Sequence, residues 1–231
     1  TRVEMSILNA HAADIADALG DGVSIVEPGS GAALKVRPIL DALGQRAKAY
    51  VPIDIAAGQL AATAAELGKQ YPQLTVSPVA TNFFAPFTMP PVENGVVFFP
   101  GSTIGNMPRD SGVEFLNRML ERSGAKRLLI GFDLVKDKAV LELAYDDPAG
   151  VTRAFKMNVL DRNNRELGAD IDLKTFEFEA LYNETSQAIE MYLTSKIDQR
   201  VHIAGETIAF AANARISTED SRKYTLESFA E

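Results

Sequence analysis

Cysteine is absent from this 231-residue chain. That excludes disulfide frameworks, thiolate nucleophiles and Cys-ligated zinc or iron–sulfur centres. Only two histidines occur, His11 and His202, too few for a multi-histidine metal site. Basic residues are in deficit: 23 Lys+Arg stand against 31 Asp+Glu, a formal net charge of −8. Nucleic acids and anionic membrane surfaces need clustered Lys/Arg to neutralise their phosphates, so neither is an expected partner. No apolar run approaches the ~18 residues that span a bilayer, and Thr1-Arg2-Val3-Glu4 has no apolar signal-peptide core. Internal repeats and low-complexity segments are also lacking. The remainder, 46% hydrophobic and 23% charged, suits a globular chain with its own core. A cytoplasmic monomer acting on a small molecule is the expectation.

Along the chain, apolar Ile7, Leu8, Ala10, Ile15 and Leu19 predict one helix face over 3–19, with Thr1 and Glu4 spaced as a capping box. Val23-Ser24-Ile25-Val26 predicts a buried strand running into the turn Glu27-Pro28-Gly29-Ser30-Gly31. The alternation continues as helix 32–43, strand 47–55, helix 56–71, strand 74–79, strand 96–99, helix 108–122 and strand 128–134. Strands and helices in that rhythm, with apolar strands, predict a doubly wound α/β sheet covered on both faces. After the charged break Lys136-Asp137-Lys138 the rhythm changes. Helices at 139–145 and 151–165 precede strands at 176–182, 189–195, 200–203 and 207–210, the spacing of an antiparallel α+β module. The chain therefore divides into 1–137 and 138–231.

Three groups of residues could carry chemistry. The glycine turn after the first strand lets a ligand approach the backbone beside free helix N–H groups. Leu34 stands where a dinucleotide fingerprint needs its third glycine, so the turn alone reads equally well as an ordinary strand–helix connection. Asp54, ending the second strand, is placed to accept hydrogen bonds from a ribose, and glycine turn plus acid together fit a nucleoside cofactor. An acidic Glu27 would repel a pyrophosphate and tolerate a sulfonium, which favours S-adenosylmethionine over a dinucleotide. The second group, Pro100-Gly101-Ser102-Thr103-Ile104-Gly105-Asn106, follows an apolar strand and has no basic residue up to Pro108; a neutral or zwitterionic ligand suits it better than a phosphate. The third lies in the module. Asp146 and Asp147 read as a solvated helix end, Met191 as core, and Glu219 and Ser221, two apart, share one face of an extended segment. No residue is singled out as a catalytic acid or base, and no set of metal ligands is found.

Several strings together resemble the histidine-specific, S-adenosylmethionine-dependent N-alpha-methyltransferases of ergothioneine biosynthesis. They are Tyr50-Val51-Pro52-Ile53-Asp54, Phe99-Pro100-Gly101-Ser102-Thr103-Ile104-Gly105-Asn106 and Gly131-Phe132-Asp133-Leu134-Val135-Lys136-Asp137. Ala144-Tyr145-Asp146-Asp147-Pro148-Ala149-Gly150-Val151-Thr152, Asn164-Arg165-Glu166-Leu167-Gly168-Ala169-Asp170, Ile189-Glu190-Met191 and Thr218-Glu219-Asp220-Ser221 follow in the family's order.

The resemblance implies a class I methyltransferase core with an inserted substrate-recognition module, shortened at both ends relative to the family. It implies S-adenosylmethionine held by Gly29, Lys35 and Asp54, with adenine near Asn82 and Phe83. It also implies a histidine whose carboxylate meets Asn106 and Tyr145 and whose imidazole meets Glu219 and Ser221, with Met191 lining the pocket. A sulfonium gives up its methyl group by in-line displacement to a neutral amine, so the demands are alignment, desolvation and loss of the ammonium proton. Two strings depart from the family pattern: Asn82-Phe83 stands where Asp-Phe is common, and Phe155-Lys156-Met157-Asn158 where Phe-Asn-x-Asn is frequent. Two other readings stay open: methylation of another amine, such as a prenylated tryptophan derivative, and a domain that binds its ligand without turnover.

Overall fold

The computed structural model describes residues 2–231, so the capping-box reading at Thr1 lies outside the described residues. Two compact units divide the chain. One holds the residues up to Ile104 together with Pro108–Phe132; the other holds Gly105–Met107 and Asp133–Glu231.

The first unit runs α1 (Arg2–Leu19), β1 (Val23–Pro28), α2 (Arg37–Leu43), β2 (Ala47–Asp54), α3 (Ala57–Gln70), β3 (Thr75–Val76), β4 (Val79–Ala80), β5 (Gly95–Phe99), α4 (Arg109–Ser123) and β6 (Arg127–Ile130). The sheet is parallel throughout, in the order β3-β2-β1-β5-β6, with β4 also pairing β2. The central strands β1 and β5 are buried along their whole length, and β5 accordingly reads as an unbroken apolar run, while β1 carries Ser24 and Glu27 into the sheet. The chain winds outward from β1 through β2, then returns to pair β5 on the other side. That reversal opens a crevice beyond the carboxyl ends of β1 and β5. Leu8 and Leu19 of α1 join Ile25, Ile39, Tyr50 and Phe98 in the core of this unit, while Ile7 of the predicted apolar face is exposed.

Three predicted elements differ. The helix expected from residue 32 begins only at Arg37: Ala33 takes a left-handed φ of +50°, which breaks helical continuity, and Pro38 sits in the first turn, where its missing N–H costs nothing. The strand expected over 74–79 is two two-residue strands that touch β2 at separate places, because Pro78 interrupts the ladder. The strand expected to reach Leu134 stops at Ile130, and Leu134 makes only an isolated bridge with Tyr224.

The second unit holds α5 (Lys138–Tyr145), α6 (Val151–Leu167), β7 (Phe176–Asn183), β8 (Ala188–Ser195), β9 (Gln199–Ile203), β10 (Glu206–Phe210), β11 (Arg215–Arg222) and α7 (Leu226–Ala230). Its three-stranded antiparallel sheet has the order β11-β8-β7, and β9 and β10 form a separate hairpin. Alternate residues Phe176, Phe178, Ala180 and Tyr182 of β7 are buried and share one core with Leu141 of α5 and Leu160 of α6. Strand β11 was not predicted. Its polar sequence, Ser217-Thr218-Glu219-Asp220-Ser221, has little intrinsic strand propensity, and pairing along β8 holds it extended.

Candidate functional site

In the first unit a cavity of about 290 Å³ opens at the strand ends, lined by Glu27, Gly29, Ser30, Lys35, Phe83 and Thr103 among others. Its floor is the glycine turn. Gly29 takes φ +72°, a conformation that strains any L side chain. The Gly29 and Ser30 N–H groups donate to Ile53 O at 2.7 and 3.2 Å, tying the turn to the end of β2. Asp54 completes the tie: Oδ2 accepts from Gly31 N–H at 2.9 Å and Oδ1 from Ala56 N–H at 3.0 Å. Each oxygen keeps one lone pair. Asp54 therefore braces the turn while retaining acceptor capacity, although it does not line the cavity.

Lys35 reaches the second predicted loop. Its Nζ pairs with Glu4 Oε2 at 2.7 Å, and Glu4 Oε1 accepts the Gly101 N–H. Gly101 has φ +88°, a left-handed backbone that strains any L side chain, and a Cβ built there would push the flexible Lys35 head aside from 2.6 Å. The loop after β5 thus has a basic neighbour in space that it lacks in sequence. Glu4 therefore links this lysine to this loop. Phe83 sits on the cavity wall, backed by Phe115 and Phe84 at ring centroid distances of 5.7 and 4.6 Å. Asn82 lies outside the lining; its Oδ1 accepts the Phe84 N–H at 3.0 Å, an Asx turn that orients Phe83.

Glu27 differs most from its sequence reading. It is 2% exposed, and Tyr50 OH donates to its Oε2 at 2.5 Å. Burial pushes its carboxyl up to about 8, against the hydrogen bond from Tyr50 and the charge of Lys35. At neutral pH it is therefore mostly protonated, an uncharged donor and acceptor in the cavity wall and not the bare anion assumed above.

These features test whether an S-adenosylmethionine fits. The volume stands at the low end of the roughly 300–1,000 Å³ of small-ligand sites. Ser30 Oγ is buried with only the Tyr50 hydroxyl beside it, and spare hydrogen-bonding capacity of this kind is expected where a ligand completes the network. Lys35 suits a carboxylate, protonated Glu27 a neutral hydrogen-bonding group and Phe83 a purine face. The donor set fits.

The second unit gathers four of the five predicted substrate residues into two hydrogen-bonded groups on one face of β11, Glu219 with Asn106 and Ser221 with Tyr145. Asn106 Nδ2 donates to Glu219 Oε1 at 2.6 Å, and Lys156 Nζ donates to Glu219 Oε2. Tyr145 OH and Ser221 Oγ share a hydrogen bond of 2.7 Å, and Lys223 Nζ donates to both, at 2.7 and 2.8 Å. Lys223 is 1% exposed and pairs with Asp133 Oδ2 at 3.3 Å. Burial raises the Asp133 carboxyl, but the hydrogen bond from Lys136 and the charge of Lys223 outweigh it and hold it below the usual range. Met191 is the exception. It lies directly across from Glu219 in the β8–β11 register and packs in the apolar core of this unit, while its carbonyl accepts from Thr218 Oγ1 at 3.0 Å.

The register shift between Ser217 and Glu219 is what aims the cluster. Thr218 is the extra residue, so Glu219 and Ser221 face with Met191 and Ile189, on the side of the sheet that carries the core. Sequence reasoning missed Lys156, Lys223 and Asp133. The one available signal was alternation, since Lys223 continues the 219, 221, 223 series. Asp147 is a helix cap, accepting from the Val151 and Thr152 N–H groups, both at 3.2 Å. Among the described residues no group of His, Asp or Glu is placed to hold a metal, and no helix is long and apolar enough to cross a membrane.

Known proteins resemble the chain along nearly its whole length. It is 40% identical to the histidine N-alpha-methyltransferase of Mycolicibacterium smegmatis, covering 98% of this chain and 72% of that protein. The enzyme of the same name from Mycobacterium tuberculosis is also 40% identical, over 97% of this chain and 71% of its own length. Ergothioneine biosynthesis protein 1 of Neurospora crassa is 29% identical over 98% of this chain, which spans 27% of that longer protein. With a family profile matching residues 1–231 as well, the chain belongs to the histidine-specific, S-adenosylmethionine-dependent methyltransferases.

Proposed function

We propose that this protein transfers methyl groups from S-adenosylmethionine to the α-amino nitrogen of L-histidine, on the way to trimethylhistidine and ergothioneine. The observation that carries this reading is that Asn106 and Tyr145 are hydrogen-bonded to Glu219 and Ser221, which share one face of β11. Glu219 accepts a ring N–H, Ser221 serves the second ring nitrogen as donor or acceptor, and Asn106 and Tyr145 take the carboxylate. The cofactor, when bound, supplies a methyl group made electrophilic by its sulfonium. Gly29, Lys35, Asp54, Asn82 and Phe83 are the residues proposed to hold it, with 1–137 as the cofactor core and 138–231 as the substrate-recognition module. What the chain adds is orientation and the exclusion of water, since the amine attacks only after its ammonium has lost a proton to solvent or a nearby acceptor. A net charge of −8 supports a free amino acid, and not a polyanion, as partner.

Two substitutions test the two halves. Asp54→Ala removes the brace of the glycine turn and a charged acceptor, and is expected to weaken S-adenosylmethionine binding by about 1.5–3 kcal/mol, roughly ten- to a hundredfold, in a calorimetric titration. An unchanged affinity would remove Asp54 from the cofactor site. Glu219→Ala is expected to cut the preference for histidine over phenylalanine and tryptophan about ten- to a hundredfold in kcat/KM, because rejection of the wrong side chains rests on hydrogen bonds left unmade. If the ratio holds while the melting temperature falls, Glu219 is only a structural brace. If a tryptophan derivative outruns histidine in the wild type, the chain methylates that other amine.

A further inference from the structure

Glu219 carries a partner of its own charge magnitude. Lys156 of α6 is paired with Glu219 Oε2, and its side chain is 7% exposed, while Asn106 occupies the other oxygen. A carboxylate displayed to read a cationic ring would gain most by standing alone. This one is held against a nearly buried ammonium, and the neighbouring cation Lys223 is likewise matched by Asp133. Lys136 also pairs with Asp133, so three cations stand against two anions and these residues offer no net negative charge to an incoming ring. What it keeps is hydrogen-bonding capacity: a lone pair on each Glu219 oxygen for one N–H, and the Ser221 hydroxyl, which can give its own proton to a bare nitrogen.

We propose that Lys156 is a specificity-determining residue that makes the site accept the neutral imidazole of its substrate and disfavour the imidazolium. The inference rests on the histidine reading above. Lys156 acts through Glu219, whose charge it balances; an imidazolium would bring a second cation to a carboxylate that already has one. The charged or titratable groups around the pair are Tyr145 on α5, Lys223 and Lys136 with Asp133, and Glu190, Asp220 and Arg222 on the opposite face of β8 and β11. The carboxyls of Asp133 and Glu190 both lie below the usual range, Glu190 chiefly through the hydrogen bond from Tyr192, so both stay ionised across the pH interval of the test.

The measurement is the KM for histidine at about pH 5.5 and 7.5, on either side of an imidazole pKa of about 6.5. In the wild type it is expected to rise about tenfold at the lower pH, following the loss of neutral ring. A triazole-bearing analogue, whose ring stays neutral over this range, should lack that rise. Lys156→Gln should abolish or reverse it for histidine, and Lys156→Arg should retain it. The α-amine titrates identically in all three proteins and cancels in their ratios. A wild-type KM that changes equally for histidine and the analogue overturns the proposal without any variant. So does a Gln variant with the wild-type pH dependence. Absence of histidine methylation in the wild type overturns the functional reading and this inference with it, whereas an active enzyme with an unaltered pH profile overturns the role of Lys156 alone.

Discussion

Replacing Phe115 by alanine is expected to cost about 3–5 kcal/mol of folding stability, the range for emptying a buried phenylalanine site. Phe115 is 1% exposed and meets three other rings, with centroids at 5.0 Å from Phe99, 5.6 Å from Phe84 and 5.7 Å from Phe83. Aromatic pairs of this spacing add to the area term, and the neighbours sit on β5 and the 82–84 turn, so no one element can move in to refill the space. Denaturant unfolding should show the midpoint falling with little change in slope. The second consequence is local. Phe83 lines the cavity, and without Phe115 behind it the wall loosens, so cofactor affinity should fall more in Phe115→Ala than in Phe115→Leu. A stability loss under about 1 kcal/mol would mean that the ring cluster is not a packed support.

Glu27 should make stability depend on pH in a direction opposite to that of most carboxylates. Its folded-state value is about 8 against an ordinary 4.5, because burial disfavours the ionised form. The native state therefore keeps a proton that the unfolded chain releases. The stabilisation is fully present below pH 4.5 and is lost as pH rises towards the folded-state value of about 8. By linkage the loss is on the order of 4–5 kcal/mol across that window. Glu27→Gln keeps the shape and an acceptor for Tyr50 but cannot ionise. The variant should match the wild type near pH 5 and exceed it increasingly towards pH 8 when urea-unfolding free energies are compared. Parallel curves for the two proteins would show that Glu27 is solvated or ionised in the native state.

Local patterns were enough to reach the parallel sheet, the strand–helix rhythm and the hairpins of the second unit. An apolar run marks β5 because a strand buried on both faces has no polar side to show, and Val23, Ile25 and Val26 mark β1 for the same reason. The glycine turn and Asp54 were visible for the same reason: backbone conformation and strand-end acceptors are written within a few residues of where they act. Helix α2 was placed too early because nothing in Ala32-Ala33-Leu34 announces the left-handed φ at Ala33.

Contacts across long separations, burial and register were decided only in three dimensions. Glu4 and Gly101 are 97 residues apart, Lys156 and Glu219 63, and Lys223 and Tyr145 78; no spacing rule relates such pairs. The charge of Glu27 could not be read from its identity, because ionisation follows desolvation, which belongs to the folded environment and not to the residue. The face presented by Glu219 and Ser221 turned on one extra residue at Thr218. Alternation puts the two on the same side of a strand, but with a period of two a single bulge exchanges the sides. The sequence by itself determined the sheet, the glycine turn and the candidate residues that local spacing marks. The fold determined their charge, their partners and the side they face, because each of these depends on atoms that the chain brings together only by folding.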